Sequence, residues 1–100
     1  YEEKAARKFL TPKIVPILAE LIKELENLPS FEEKDLERLF RGLAEKHQIK
    51  LKHIAQPVRV ALTGRTVSPG LFEIMDVLGR ETVLKRLRKA LEYAKEAPDG

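Results

Sequence analysis

Apolar residues recur every three or four positions along most of the chain, the spacing of helices that bury one face. The clearest stripe runs through Ile14, Ile17, Leu18, Leu21, Ile22 and Leu25. Thr11-Pro12 ahead of it reads as a start, a hydroxyl able to cap followed by a proline at the first helical position. Pro16 falls within about the first turn, where its missing N–H matters least. Leu28-Pro29-Ser30 closes this helix. Upstream, Tyr1 to about Leu10 reads as a short charged helix.

The next helix starts between Ser30 and Glu33. These two residues spell a capping box, although Phe31 and the paired glutamates also allow a slightly later start. Leu36, Leu39, Phe40 and Leu43 form its buried face, with Lys34, Asp35, Glu37, Arg38 and Arg41 toward water, and it fades near His47. Residues 48–53 alternate apolar and basic. Six isolated residues make no sheet, so they read as a connector. Pro57 then opens a short helix to Thr63, with Val58, Ala61 and Leu62 inward, and Gly64 stops it. Residues 65–70 form a loop. Leu71 to Leu78 is another short helix, stopped by Gly79. Glu81 to about Ala94 is the last, with Val83, Leu84, Leu87 and Leu91 inward and Lys85, Arg86, Arg88 and Lys89 outward; the tail from Ala97 to Gly100 is expected to fray.

About six unequal helices without a strand run predict an all-α domain. The short central elements do not make an up-down bundle. They predict a compact helical cage whose middle segment folds across the longer outer helices. Length agrees, since 100 residues support one domain. Hydrophobic residues at 43% and charged residues at 35% are an ordinary balance for a globular chain and too apolar for disorder. With no cysteine there is neither a disulfide framework nor a Cys-ligated zinc, and this fits a cytosolic origin. No apolar run is long enough to span a membrane. The chain opens at Tyr1 without a basic-then-apolar signal segment, and so reads as an excised piece of a longer protein or as a processed one.

Charge changes the picture more than composition does. The net charge is +3, but residues 1–45 hold eight bases against ten acids, and residues 73–100 hold six of each. Between them, residues 46–72 carry Lys46, Lys50, Lys52, Arg59 and Arg65 and no acid at all. Such a stretch is either a surface that meets phosphate or a solvated basic loop. No Gly-rich phosphate loop, Ser-His-Asp set, HExxH or paired-carboxylate pocket can be assembled. His53 beside lysines reads as a surface residue rather than a base. A binding module is the class that remains. Two such modules compete on the residues alone: a helix-turn-helix DNA-binding domain built on 57–63 and 71–78, and a helical protein-interaction adaptor. Glu73 and Asp76 on the would-be recognition helix, with no Arg, Lys, Asn or Gln there, argue against the first.

At residues 55–72 the chain reads AQPVRVALTGRTVSPGLF. This resembles the C-terminal anticodon-binding region of bacterial-type glutamyl-tRNA synthetases. The pattern there is Gln-Pro-hydrophobic-Arg-x-Ala-Leu-Thr-Gly, a short loop, then Ser/Thr-Pro-Gly-Leu-Phe-Glu. It falls here on Gln56, Pro57, Val58, Arg59, Ala61, Leu62, Thr63, Gly64, Ser68, Pro69, Gly70, Leu71, Phe72 and Glu73. The likeness is dense from about Ile49 to Leu91 and weaker upstream. It implies that residues 1–100 are one C-terminal helical cage of a class I aminoacyl-tRNA synthetase. The parent would be cytoplasmic and monomeric, and would join glutamate to tRNA with ATP and magnesium. The catalytic domain would lie outside this chain, and the cage itself would need no cofactor. The partner implied is a glutamate-accepting tRNA, with no DNA and no membrane, and the cage would hold the first and second anticodon bases.

Sequence-specific RNA recognition targets unstacked loop bases. It needs donors for base edges, an apolar platform for base faces and positive charge for phosphates. Arg59 brings a planar fork of donors, and the resemblance makes it the leading base contact. The resemblance adds Ser68, Pro69 and Leu71, which sit where a loop turns into a helix. Ser68 offers a hydroxyl, and Pro69 and Leu71 offer apolar surface. Gly70 lets a nucleotide approach the backbone. On the residues alone, Pro69-Gly70 is also a plain turn device and Leu71 a plain core residue. Thr63 and Gly64 are a helix stop or backbone contacts. Lys50, Lys52 and Arg65 are phosphate contacts or solvated charge, and Phe72 reads as core.

Overall fold

A computed structural model describes residues 1–98. Its elements are α1 (Glu3–Phe9), a 3-10 turn (Pro12–Ile14), α2 (Val15–Asn27), α3 (Glu33–Lys46), α4 (Lys52–Thr63), α5 (Leu71–Leu78) and α6 (Arg80–Glu96). The expected all-α cage is thus present, with no strand among the described residues. Helix α6 runs along α2 and α4, α5 is held between α3 and α6, and α1 lies on α4. The radius of gyration, 12.3 Å, is close to the ~13 Å of a single packed domain of this length.

The apolar stripes meet in one core. Leu18, Leu21 and Leu25 of α2, Leu36 and Phe40 of α3, Ile54, Val58 and Val60 of α4, Met75 of α5 and Val83 and Leu87 of α6 are all sealed from solvent. Among the described residues no charged or polar one is buried with them. Basic side chains fasten the ends instead. Arg80 Nη1 donates to the Leu25 carbonyl at 2.7 Å, at the C-terminus of α2. Arg86 Nη1 donates to the Leu62 carbonyl at 2.8 Å, near the C-terminus of α4. Both place a cation where helix carbonyls lack partners.

Three boundaries differ from the pattern reading. Helix α4 begins at Lys52, and Pro57 lies inside it with its ring buried. Leu51, Ile54, Val58 and Leu62 share one face at helical spacing, so the period starts before the proline. As the sixth residue of α4, Pro57 forfeits the bond to the His53 carbonyl, and the joint burial of Ile54, Val58 and Leu62 offsets that loss. Residues 52 and 53 are therefore not connector. At Thr11-Pro12 the chain makes only the 3-10 turn, Thr11 makes no side-chain cap, and the α-helix begins at Val15. Ser30 forms no capping box, since α3 has Glu32 at its N-cap and the Ser30 hydroxyl accepts only from the Glu32 amide at 3.4 Å. Of the tail expected to fray, Ala97 and Pro98 follow α6 without helix, and Asp99 and Gly100 lie outside the described residues.

Candidate nucleic-acid interface

Helix α4 carries Arg59 outward on its half-buried side, facing the loop that leads into α5. Two side chains hold the guanidinium. Nε donates to the Ser68 hydroxyl oxygen at 2.7 Å. Nη1 donates to Gln56 Oε1, one helical turn back, at 2.6 Å. The Ser68 hydroxyl in turn donates to the Pro69 carbonyl at 2.9 Å. Among the described residues no ion pair involves Arg59. The Nη2 edge has no hydrogen-bond partner among them either.

The loop is tied at both ends by its own sequence. Gly64 ends α4 in the left-handed region, φ +78°, with its amide donating to the Val60 carbonyl at 2.7 Å. Its carbonyl accepts from the Glu2 amide at 2.9 Å. Thr63 donates back to the Arg59 carbonyl at 2.8 Å and accepts from the Arg65 amide at 3.1 Å. Thr63 and Gly64 thus have full intramolecular work in stopping the helix. Gly70 is different. Its φ is an ordinary −48°, it is exposed, and a side chain there would meet nothing closer than Glu73 Oε2 at 3.8 Å. The fold itself does not require glycine at 70.

The structure brings Arg59, Ser68 and Pro69 together, with Pro69 exposed. It turns Leu71 inward, where only 4% of it is exposed. The Leu71 side chain is therefore part of the core with Met75 and offers no shelf on this surface; Pro69 and the exposed Val67 are the apolar groups beside Ser68. Phe72 packs edge-on against Phe40, as a core residue does. The basic stretch divides. Lys46 is drawn to Glu20 at 2.7 Å, and Arg65 lies 3.9 Å from Glu2. Lys50 and Lys52 are exposed, with no ion pair among the described residues. Gln56 stands in the sequence motif, but the motif gave it no role. The signal is its i, i+3 spacing to Arg59, which a helix beginning at Pro57 does not contain.

Concave surfaces also lie elsewhere. A groove of about 520 Å³ between α2 and α3 is lined by Glu20, Glu24 and Asp35 among others and does not include Arg59. Among the described residues no group of His, Cys, Asp or Glu is placed to hold a metal ion, and no helix is long and apolar enough to cross a membrane. Helix α5 presents Glu73, Asp76 and Val77 to solvent and no cation, which leaves nothing in favour of a major-groove reader.

The site is thus an all-helical cage with an arginine edge free of partners among the described residues, beside a Ser-Pro-Gly turn. The family described as anticodon binding domain matches residues 1–91, and the chain belongs to it. The glutamate–tRNA ligase of Syntrophobacter fumaroxidans is 50% identical over 93 residues, covering 93% of this chain and 20% of that protein. That of Desulfosudis oleivorans is 48% identical over 97 residues, 97% of this chain and 21% of the relative. A crystal structure of a glutamate tRNA ligase from Elizabethkingia meningosepticum, in complex with its amino acid, superposes with a TM-score of 0.88 at 26% identity. It matches 95% of this chain and 19% of that one. The chain spans about a fifth of the length of these relatives. The chain is an anticodon-binding domain homologous to the corresponding region of glutamate–tRNA ligases.

Proposed function

We propose that this chain is the anticodon reader of a glutamate–tRNA ligase and holds the first and second anticodon bases of a glutamate-accepting tRNA. The observation that carries this is Arg59, held at the mouth of the 65–70 loop with donors to spare and no carboxylate paired to it. A guanidinium edge of that kind matches base carbonyls or phosphate oxygens. Beside it, Gly70 leaves the backbone approachable, and Ser68 and Pro69 border the approach. Lys50 and Lys52 lie on the same acid-free stretch and meet the phosphates. Leu71 acts here only from within the core, by holding the turn.

The ligase reaction, with its ATP and magnesium, belongs to the longer protein of which this chain is one part. Aminoacylation rests on a separate catalytic domain, in a monomeric cytoplasmic enzyme. The domain contributes by positioning tRNA, since binding energy gathered at a distance aligns reacting groups elsewhere. The test is titration of the chain with an RNA hairpin bearing the glutamate anticodon loop, against hairpins substituted at the first or second anticodon base. Tighter binding of the unsubstituted hairpin, lost in Arg59→Ala, is the expected result. Equal binding of all hairpins by the wild-type chain would refute the reading.

A further inference from the structure

The hydrogen bonds around Arg59 have one common property: every acceptor is neutral. Nη1 is held by the Gln56 amide oxygen at 2.6 Å and Nε by the Ser68 hydroxyl at 2.7 Å. The position of Gln56 is where a carboxylate would be the stronger acceptor for a guanidinium, because charge-assisted hydrogen bonds are shorter and roughly twice as strong. Elsewhere the chain does pair arginines with carboxylates at this kind of helical spacing, as in Arg41 with Glu37 and Arg38 with Asp35. At Arg59 alone among these helical arginines the partner one turn away is an uncharged amide.

We infer that Gln56 is a positioning and specificity-determining residue, which fixes the Arg59 fork in one orientation while leaving its positive charge uncompensated for an RNA ligand. The inference rests on the reading of Arg59 as the anticodon contact. The physical argument has two parts. A free arginine side chain carries about 2 kcal/mol of rotamer entropy, and a fork already pinned on two edges loses less of it on binding. A carboxylate at 56 would pin the fork equally well, but would cancel the field that draws in a base carbonyl or phosphate. Only a neutral acceptor satisfies both demands. Ser68 meets the same two demands from the loop side, and Gln56 does so from within the helix that carries the arginine. Because Gln56 is half-buried and Arg59 lies between it and the loop, Gln56 acts through the arginine.

The test compares Gln56→Glu, Gln56→Met, Arg59→Ala and the double variant Gln56→Met with Arg59→Ala, which removes the acceptor and the fork without adding a charge. Affinity is read by NMR titration of the chain with the anticodon hairpin, and folding by the thermal unfolding midpoint. Gln56→Glu keeps the shape and the hydrogen bond but pairs the charge. It is expected to weaken binding about tenfold or more, the size of losing one good arginine contact, while the midpoint stays level or rises. Gln56→Met, which keeps the length but not the acceptor, is expected to weaken binding severalfold and to narrow the difference between the correct and substituted hairpins. If Gln56 acts through the fork, the double variant binds no worse than Arg59→Ala alone. Undiminished affinity in both Gln56 variants, alongside a weakened Arg59→Ala, overturns the inference and leaves the reading of Arg59 intact. Additive losses in the double variant overturn it too, by showing that Gln56 acts independently of the arginine. Unchanged binding in Arg59→Ala overturns the reading itself, and the inference with it.

Discussion

The ring of Phe72 meets that of Phe40 edge-on, centroids 5.1 Å apart and planes at 77°. Phe40 belongs to α3 and is fully buried, whereas Phe72 follows directly on the Ser68–Leu71 turn. The contact therefore ties the first turn of α5 to α3, just after the loop that Arg59 faces. Truncation at Phe40 is expected to cost about 3–5 kcal/mol, the range for a large buried aromatic. Phe72→Ala is expected to cost less, because part of that ring is exposed. A double-mutant cycle by urea unfolding should give a coupling of about 0.5–1.5 kcal/mol between the two. No coupling would mean that the rings merely adjoin.

The two glycines that flank the loop should separate cleanly. Gly64 sits at φ +78°, and a Cβ there would lie 3.4 Å from the Tyr1 Cα. Gly64→Ala is expected to lose about 1–2 kcal/mol of stability, the cost of placing an L-residue in the left-handed region. Gly70→Ala, with ordinary φ and open space, should unfold at the same urea concentration as the parent. Its effect should appear instead as weaker binding of the anticodon hairpin. A Gly70→Ala chain that binds RNA normally would remove the glycine from the contact surface.

Lys52 and Arg59 should fail in different ways. Lys52→Ala is expected to weaken every hairpin to a similar degree and to reduce the slope of log affinity against log salt by roughly 0.7–0.9, one phosphate contact. Arg59→Ala should weaken the correct hairpin by about 1–3 kcal/mol and the substituted ones less. Titrations at several salt concentrations read both quantities. Discrimination among hairpins that falls with Lys52 would move that lysine from the phosphates to the bases.

Acid should expose the joint between α2 and α3. Glu20 holds Lys46 at 2.7 Å and His47 Nε2 at 3.0 Å. Hydrogen bonds from Lys46, then from His47, keep the Glu20 carboxyl below the usual carboxylate range. A carboxyl more acidic in the folded chain than in the unfolded one adds stability at neutral pH. That contribution fades as pH falls through the lowered value. Lys46 is pushed the other way by the same Glu20 hydrogen bond, so its share persists below the ordinary lysine value and is lost as pH rises through the higher one. Glu20→Gln should therefore be less stable than the parent at neutral pH, and the gap should close toward strongly acid pH. Urea unfolding across a pH series reads the gap. A gap that does not change with pH would assign the difference to packing instead. The pair is partly exposed, so the effect should also shrink with added salt.

Much of this was written in the chain's periodicity. The stripe from Ile14 to Leu25 and that from Val83 to Leu91 specify α2 and α6, because three- and four-residue spacing admits one buried face. Gly64 and Gly79 mark helix ends, and both take positive φ. What stayed hidden has local causes. The alternation of Ile49, Lys50, Leu51 and Lys52 masks the helical register that Leu51, Ile54 and Val58 share, and Pro57 looks like a first residue because proline is at home there. A helix that starts at the proline leaves the Gln56–Arg59 pair out. Leu71 was ambiguous for a different reason. It opens a helix beside a loop, and only the spacing to Met75 tells that its side chain points inward. Arg59, Ser68 and Pro69 came from the motif, and their meeting depends on the tertiary path of residues 64–68, which no local pattern encodes.

The tie between Glu2 and Gly64 has a mechanical consequence. Tyr1 lies over the very glycine from which the 65–70 segment departs. The first residues of the chain are thus fastened to the end of α4 by a backbone bond outside the hydrophobic interior, so loosening them would free the point from which the 65–70 segment departs.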